Sequence, residues 1–385
     1  MGASMIHAYS SSPARDCAAN FNSTRTWTAR AVAFLAEERR RAADTPLIRI
    51  DLPEFPGIDL YLKDESTHPS GSLKHRLAHA LFLHAICNGD IDQATLIVEA
   101  SSGSTAISEA WFARELGLEF VAVVPTSTAL AKIEAIQAIG GEVQTAPLGE
   151  DICEHARRIA CERGGHFMDQ FRRAAEVTDW RGSNNIAESV FAQLRDEPHP
   201  MPDWVIVGAG TGGTSATIGR YIRLRPELAA TRLCVVDPEG SAFFRAYSCS
   251  DPEATGCTSR VVEGIGRARV EPSFMPKVVD RMLSVSDVLS VAGAHWLEQR
   301  IGKRFGPSTG TNIIGALMMA EEMVRQGCEG SIVTLGCDGG ERYASTIYQP
   351  CWLAEHQIPI ISSTDLSNRL SARTPRDQAF HTGGS

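Results

Sequence analysis

The chain has 385 residues, 43% hydrophobic and 22% charged, with a formal net charge of −9 at pH 7, a size suited to about two globular domains. An acidic balance argues against a nucleic-acid partner, whose footprint is basic and clustered. No apolar run reaches the roughly 18 residues that span a bilayer, so no membrane role is expected.

In chain order, residues 1–22 are rich in Ser and Ala and lack the apolar core of a signal peptide. Ile6 stands where a myristoylation motif needs Ser or Thr. This segment reads as loose and the protein as cytoplasmic. Residues 25–42, "RTWTARAVAFLAEERRRA", have the pattern of an amphipathic helix. From 46 to about 348, strands are expected in "LIRIDL", "IDLYLKD", "TLIVEA", "FVAVVP", "EVQTAP", "DWVIVGAG", "RLCVVDP" and "SIVTLGC". Between them, segments such as "STAISEAWFARELG" and "ALAKIEAIQAIGG" carry apolar faces at helical spacing. Such alternation implies an α/β fold with parallel sheets and right-handed crossovers. The unbroken hydrophobicity of "WVIVGAG" fits a strand buried on both faces. The tail from about 362 has a disordered composition. The ten cysteines form no CxxC pair and no zinc-like spacing. Reduced thiols and no metal site are therefore expected.

Three stretches carry chemistry. "HPSGSLKHR" puts Lys74 at the start of a helix that Ser70 or Ser72 is suited to cap. The positive field there and nearby Arg76 favour a neutral amine, as a Schiff-base nucleophile requires. A solvated lysine is the commoner alternative. His75 sits about 100° around the helix from Lys74; with His68 and His79 it reads as packed or exposed rather than as a proton relay. "EASSGST" ends a strand and opens a helix, so N–H groups and hydroxyls at Ser101, Ser102, Gly103, Ser104 and Thr105 converge on an anion such as a carboxylate. An ordinary capped turn is the alternative. In "GAGTGGTSATIG", Gly210, Thr211, Gly212, Gly213 and Thr214 can enclose one phosphate. Gly208, Gly210 and Gly213 also spell G-x-G-x-x-G, with Asp237 where a dinucleotide's ribose needs an acid. An NAD-dependent oxidoreductase thus stays open. Taken together, a phosphate cup, a carboxylate cup and an amine are what a pyridoxal-phosphate (PLP) enzyme acting on an amino acid requires.

With these motifs the sequence resembles the fold-type-II PLP enzymes of the cysteine synthase and cystathionine β-synthase group, from "TPLIRI" (45–50) through "ERYAST" (341–346). The resemblance implies a tryptophan synthase β-like fold of two three-layer α/β domains, with PLP in the cleft between them. Residues 45–71 and 170–352 would form the larger, PLP-binding domain and 72–169 the smaller, mobile one. Residues 1–44 would be an N-terminal extension with one helix, and 353–385 a C-terminal tail. By the same resemblance Lys74 is the PLP lysine, "SSGST" the substrate-carboxylate loop and "GTGGT" the phosphate loop. Gln170 in "MDQF" helps hold the substrate carboxylate. "EGIG" (263–266), with Gly264, is similar to a glycine hinge, and "GCDGGERY" (336–343) to the segment at the pyridine nitrogen.

Two departures stand out. Ser104 replaces the asparagine that contacts the cofactor's O3′. The serine expected at the ring nitrogen falls on Gly339, which leaves Asp338, Cys337 or water to meet that nitrogen. "YLKDESTHPSGSLKHR", "EASSGST" and "GGHFMDQF" look closest to bacterial L-cysteine desulfhydrases, which release sulfide from cysteine and leave pyruvate and ammonia. The expectation is β-elimination on a small amino acid by a homodimer. β-Replacement, as in cysteine synthases, and a catalytically silent partner protein are the alternatives.

Overall fold

The computed structural model describes residues 13–182, 185–259, 261–362, 365, 366, 368 and 378–380. Helix α1 (Pro13–Ala42) leads into the strands β1 (Leu47–Ile50) and β2 (Ile58–Asp64). There follow α2 (Lys74–Asn88), β3 (Ile97–Ala100), α3 (Ser104–Leu116), β4 (Phe120–Pro125), α4 (Leu130–Gln137), β5 (Glu142–Ala146), α5 (Ile152–Glu162), β6 (His166–Phe167), α6 (Gln170–Val177) and α7 (Ile186–Gln193). The second half comprises β7 (Trp204–Gly208), α8 (Gly213–Leu224), β8 (Arg232–Pro238), α9 (Ala242–Cys249), β9 (Arg281–Val285), α10 (Asp287–Ile301), α11 (Pro307–Arg325), β10 (Gly330–Gly336), α12 (Pro350–Glu355) and β11 (Gln378–Phe380).

These strands make two sheets. The smaller has the order β5-β4-β3-β6 and is parallel throughout. The larger has the order β1-β2-β10-β7-β8-β9-β11, with a parallel centre and antiparallel edges at β1 and β11. Each sheet is covered on both faces. In β7, Trp204 and Ile206 pack toward α10 and α11, while Val205 and Val207 pack toward α7 and α8. That is why this strand reads as an unbroken apolar run. In the smaller sheet, Ile97 and Ala122 pack with α2 and α3, and Val98 and Val121 with α5. Each such buried valine or isoleucine contributes roughly 1.5–3 kcal/mol. Among the described residues no helix is long and apolar enough to cross a membrane.

All the expected strands form, and three more join them. β6 is only two residues long, and β9 opens on Arg281, whose charge interrupts the apolar pattern. Arg281 is nonetheless buried, because Glu322 pairs with it at 2.8 Å. β11 lies in the tail read as disordered; backbone pairing with β9, rather than composition, orders it. At the other end, helix α1 starts at Pro13, well before residue 25, so residues 13–22 are not loose. Proline suits the first helical turn, whose N–H has no intrahelical partner. Trp27, Ala31 and Leu35 bury one face of α1 in the cluster that also holds Ala78, Leu81 and Phe112 of α2 and α3. The carboxyl ends of β3, β7 and β10 feed the loops of the cavity described next, as expected for open α/β sheets.

Candidate active site

A cavity of about 450 Å³ lies between the two sheets. Lys74, Ser101, Ser102, Gly103, Ser104 and Thr105 line it, together with Gln170, Gly210, Thr211, Gly212 and Thr214. Gly264 and Asp338 complete the expected residues on its wall. Gly213 and Gly339 do not reach it.

The lysine turn is stitched to the end of β10. Leu73 N donates to Cys337 O (2.8 Å), and Ser72 bridges to Asp338. Lys74 is the first residue of α2, but neither Ser70 nor Ser72 caps the helix through its side chain. Leu73 occupies the cap position in helical geometry, and the Ser72 carbonyl accepts from His75 N (3.1 Å). Ser70 Oγ is instead bonded to Ser108 Oγ (2.8 Å) and His75 Nδ1 (3.0 Å). His75 Nε2 meets Glu38 (2.8 Å) and His79 Nε2 meets Leu35 O (2.8 Å), so these rings fasten α1 to α2 away from the cavity. His68, also buried, bonds Glu65 (2.9 Å).

In the carboxylate loop Gly103 precedes α3, and Thr105 Oγ1 donates to Gln170 Oε1 at 2.7 Å. Both residues are buried, and their bond joins the first turns of α3 and α6 at the cavity. Ser104 Oγ is engaged: Arg342 donates to it at 2.8 Å while also donating to Ser70 O.

The glycine loop turns from β7 into α8 through Gly212 at φ +89°, a left-handed conformation that glycine adopts without strain. A Cβ on Gly210 would come within 2.1 Å of Gly264 O, so this position also lets the backbone at Gly264 approach. Thr211 Oγ1 accepts from Gly213 N (3.2 Å). Thr214, the second residue of α8, lines the cavity beside this turn.

Asp338 is buried, and Tyr343 O–H donates to its Oδ2 at 2.7 Å. Burial pushes its pKa up, against the pull of the Tyr343 bond. Among the described residues its Oδ1 has no partner, nor has Ser72 Oγ. Gly339 caps the short turn Gly340–Tyr343 and pairs with Phe305, outside the cavity. The wall at this point is therefore Asp338, one residue earlier. Burial pushes the neighbouring Cys337 thiol up to about 11.

Asp237 removes the dinucleotide reading. It is fully buried away from the cavity and accepts from Phe244 N (2.8 Å), and burial pushes its pKa up to about 7. It is out of reach of a ribose.

These residues fit PLP. A helix N-terminus suits its phosphate, an amine lies between the two cups, and two buried polar atoms, Ser72 Oγ and Asp338 Oδ1, lack partners on a cavity wall. Sequence reasoning missed Ser308, which the Gly-Pro-Ser helix start at 306–308 marks. It also missed Lys132 and Glu263, which pair at 2.8 Å on the cavity wall; their distance along the chain leaves no local signal.

The model of the family described as "pyridoxal-phosphate dependent enzyme" matches residues 39–338, and the chain belongs to that family. An L-cysteine desulfhydrase of Mycobacterium tuberculosis is 54% identical over 342 residues, covering 88% of this chain and 92% of that protein. A cysteine synthase of Dictyostelium discoideum is 27% identical, covering 84% and 86% respectively. Among solved structures, an O-ureido-L-serine synthase superposes with a TM-score of 0.71 at 26% identity, covering 82% of this chain and 98% of that one. An O-acetylserine-dependent cystathionine β-synthase from Helicobacter pylori gives 0.69 at 25% identity, covering 81% and 98%.

Proposed function

We propose that this enzyme eliminates sulfide from L-cysteine, consuming water and leaving pyruvate and ammonia. The observation that carries this reading is the 54% identity to an L-cysteine desulfhydrase across nearly the whole chain. The Lys74 amine holds the cofactor. Gly210, Thr211, Gly212 and Thr214 bind its phosphate through backbone N–H groups and hydroxyls. When bound, PLP supplies an electron sink for negative charge at the substrate Cα. Ser101, Ser102, Gly103, Thr105 and Gln170 orient the substrate carboxylate, which points the Cα–H toward Lys74. The Lys74 amine, once free, would remove that proton as general base. The Cβ–S bond breaks and the thiolate leaves. Asp338, raised by burial and tied to Tyr343, supplies a polar wall for the ring nitrogen, and Ser104, held by Arg342, lies beside the carboxylate loop.

The smaller sheet, built from residues 97–167, supports a smaller domain at 72–169; its movement against the larger one, with Gly264 in the hinge, rests on the family resemblance. The family resemblance extends the proposal to a cytoplasmic homodimer, and sedimentation at twice the monomer mass checks that part.

Cysteine synthases among the relatives support β-replacement as the related second reaction. Incubation with L-cysteine, and separately with O-acetylserine plus sulfide, separates the two. Pyruvate release faster than cysteine formation is expected; the opposite ranking overturns the elimination reading. Lys74→Ala abolishes covalent PLP attachment, read as loss of the visible Schiff-base absorbance after gel filtration.

A further inference from the structure

Beneath the carboxylate loop lie two acids that this chemistry does not use. Glu99, near the end of β3, and Glu109, on α3, are both fully buried. Glu99 Oε1 accepts from Ala100 N (2.6 Å) and Oε2 from Gln170 N (3.1 Å). The two carboxyl groups lie close enough for each to act on the other's charge. No donor from any other described residue reaches either oxygen of Glu109. Two carboxylates have only acceptors to offer one another, so a hydrogen bond between them requires a proton on one of them. Backbone N–H groups favour the charged form of Glu99, and Glu109 receives none.

Among the described residues, the surrounding elements bring no cation to the pair. Of the groups acting on Glu99, Asp169 stands just before α6 and lies 3.4 Å from Arg157; Cys153, on α5, lies near Glu99. On β4 the residue paired with Glu99 is Ala122. Helix α2, packed on α3, turns His75 and His79 to Phe112 and bonds them to α1.

We propose that Glu109 is a neutral acid that donates its proton to the Glu99 carboxylate, and that the pair is a positioning device that fixes Gln170 against Thr105 and so sets the grip on a substrate carboxylate. This rests on the reading of Thr105 and Gln170 as carboxylate ligands. Burial, reinforced by the Glu99 charge, holds Glu109 well above the ordinary carboxylate range. Burial pushes Glu99 up to about 7 against its two backbone donors. As pH falls through about 7, Glu99 gains a proton and becomes a weaker acceptor for Gln170 N. Substrate affinity therefore drops on the acid side, while at higher pH the single proton stays between the two acids.

The test uses the PLP-loaded full chain. KM for L-cysteine is measured between pH 6 and 8 for wild type, Glu109→Gln and Glu109→Leu; the substrate's own titrations are common to all three. The amide of Glu109→Gln donates to Glu99 without adding a charge, so the acid-side rise in KM moves down by about one pH unit. Glu109→Leu, which leaves Glu99 without that donor, raises KM roughly tenfold, with kcat changed less. Superimposable profiles for wild type and Glu109→Gln overturn the proposal. A wild-type measurement guards against variants that fail to fold: hydrogen exchange at Gln170 N, corrected for intrinsic rate, is slower above pH 7 than below. Protection that is independent of pH overturns the proposal as well. If L-cysteine is not turned over, the functional reading fails alone. Exchange at Gln170 and the affinity for L-alanine, read from cofactor absorbance, still decide the role of the pair.

Discussion

At the scale of single residues, Asp338 shows how burial and one hydrogen bond define a functional group. Tyr343 satisfies one carboxyl oxygen and leaves the other bare beside the cavity. Tyr343→Phe removes that donor, so both oxygens become buried and unpaired, at a cost of about 1–3 kcal/mol. Chemical denaturation checks this against a conservative change elsewhere. The resemblance left Asp338, Cys337 or water to meet the ring nitrogen once Gly339 stood in place of the family's serine; Asp338 and Cys337 line the cavity and Gly339 does not.

At the scale of elements, the lysine helix is anchored by a buried ion pair. Arg76 Nε meets Glu65 Oε2 at 2.5 Å, and Arg76 also donates to Ala43 O. Glu65 is fully buried, yet the Arg76 charge, helped by bonds from His68 and Arg76, overcomes the burial penalty and holds its carboxyl below the usual range. Its folded pKa is depressed, so the stability it contributes is present above the unfolded value of about 4. That contribution is lost as pH falls through the lower folded value. Arg76→Ala leaves the charge buried without its main partner, and a loss of about 3–5 kcal/mol is expected, read as a fall in Tm. The helix pattern of "SLKHRLAHALF" is legible without any structure. The tie to Glu65, eleven residues upstream and across the turn, is not.

At the scale of the whole molecule, two ion pairs join the smaller sheet's helices to the loop between α9 and β9. Lys132 of α4 meets Glu263 at 2.8 Å, and Arg269 meets Asp151 at the start of α5 at 3.5 Å. All four side chains are more than a third exposed, so each pair is worth at most about 1 kcal/mol. Lys132→Ala therefore leaves Tm almost unchanged. Because the Lys132 pair lies on the cavity wall, wild-type KM for L-cysteine should rise with added salt as the pair is screened, and Lys132→Ala should lose that dependence. Steady-state kinetics at low and high ionic strength check both statements.

Local order along the chain was enough to establish the alternation of strands and helices, the three loops at strand ends and Lys74 itself. Each is written in contiguous residues, through apolar period, turn chemistry or motif. Tertiary structure alone decided the contacts between residues far apart in the chain: Thr105 with Gln170, Arg281 with Glu322, Lys132 with Glu263. It also buried Asp237, which on spacing alone had kept a dinucleotide site open. The physical reason is common to all four: burial and hydrogen-bond partnership arise where separate segments pack together, and no local pattern records which segments those are.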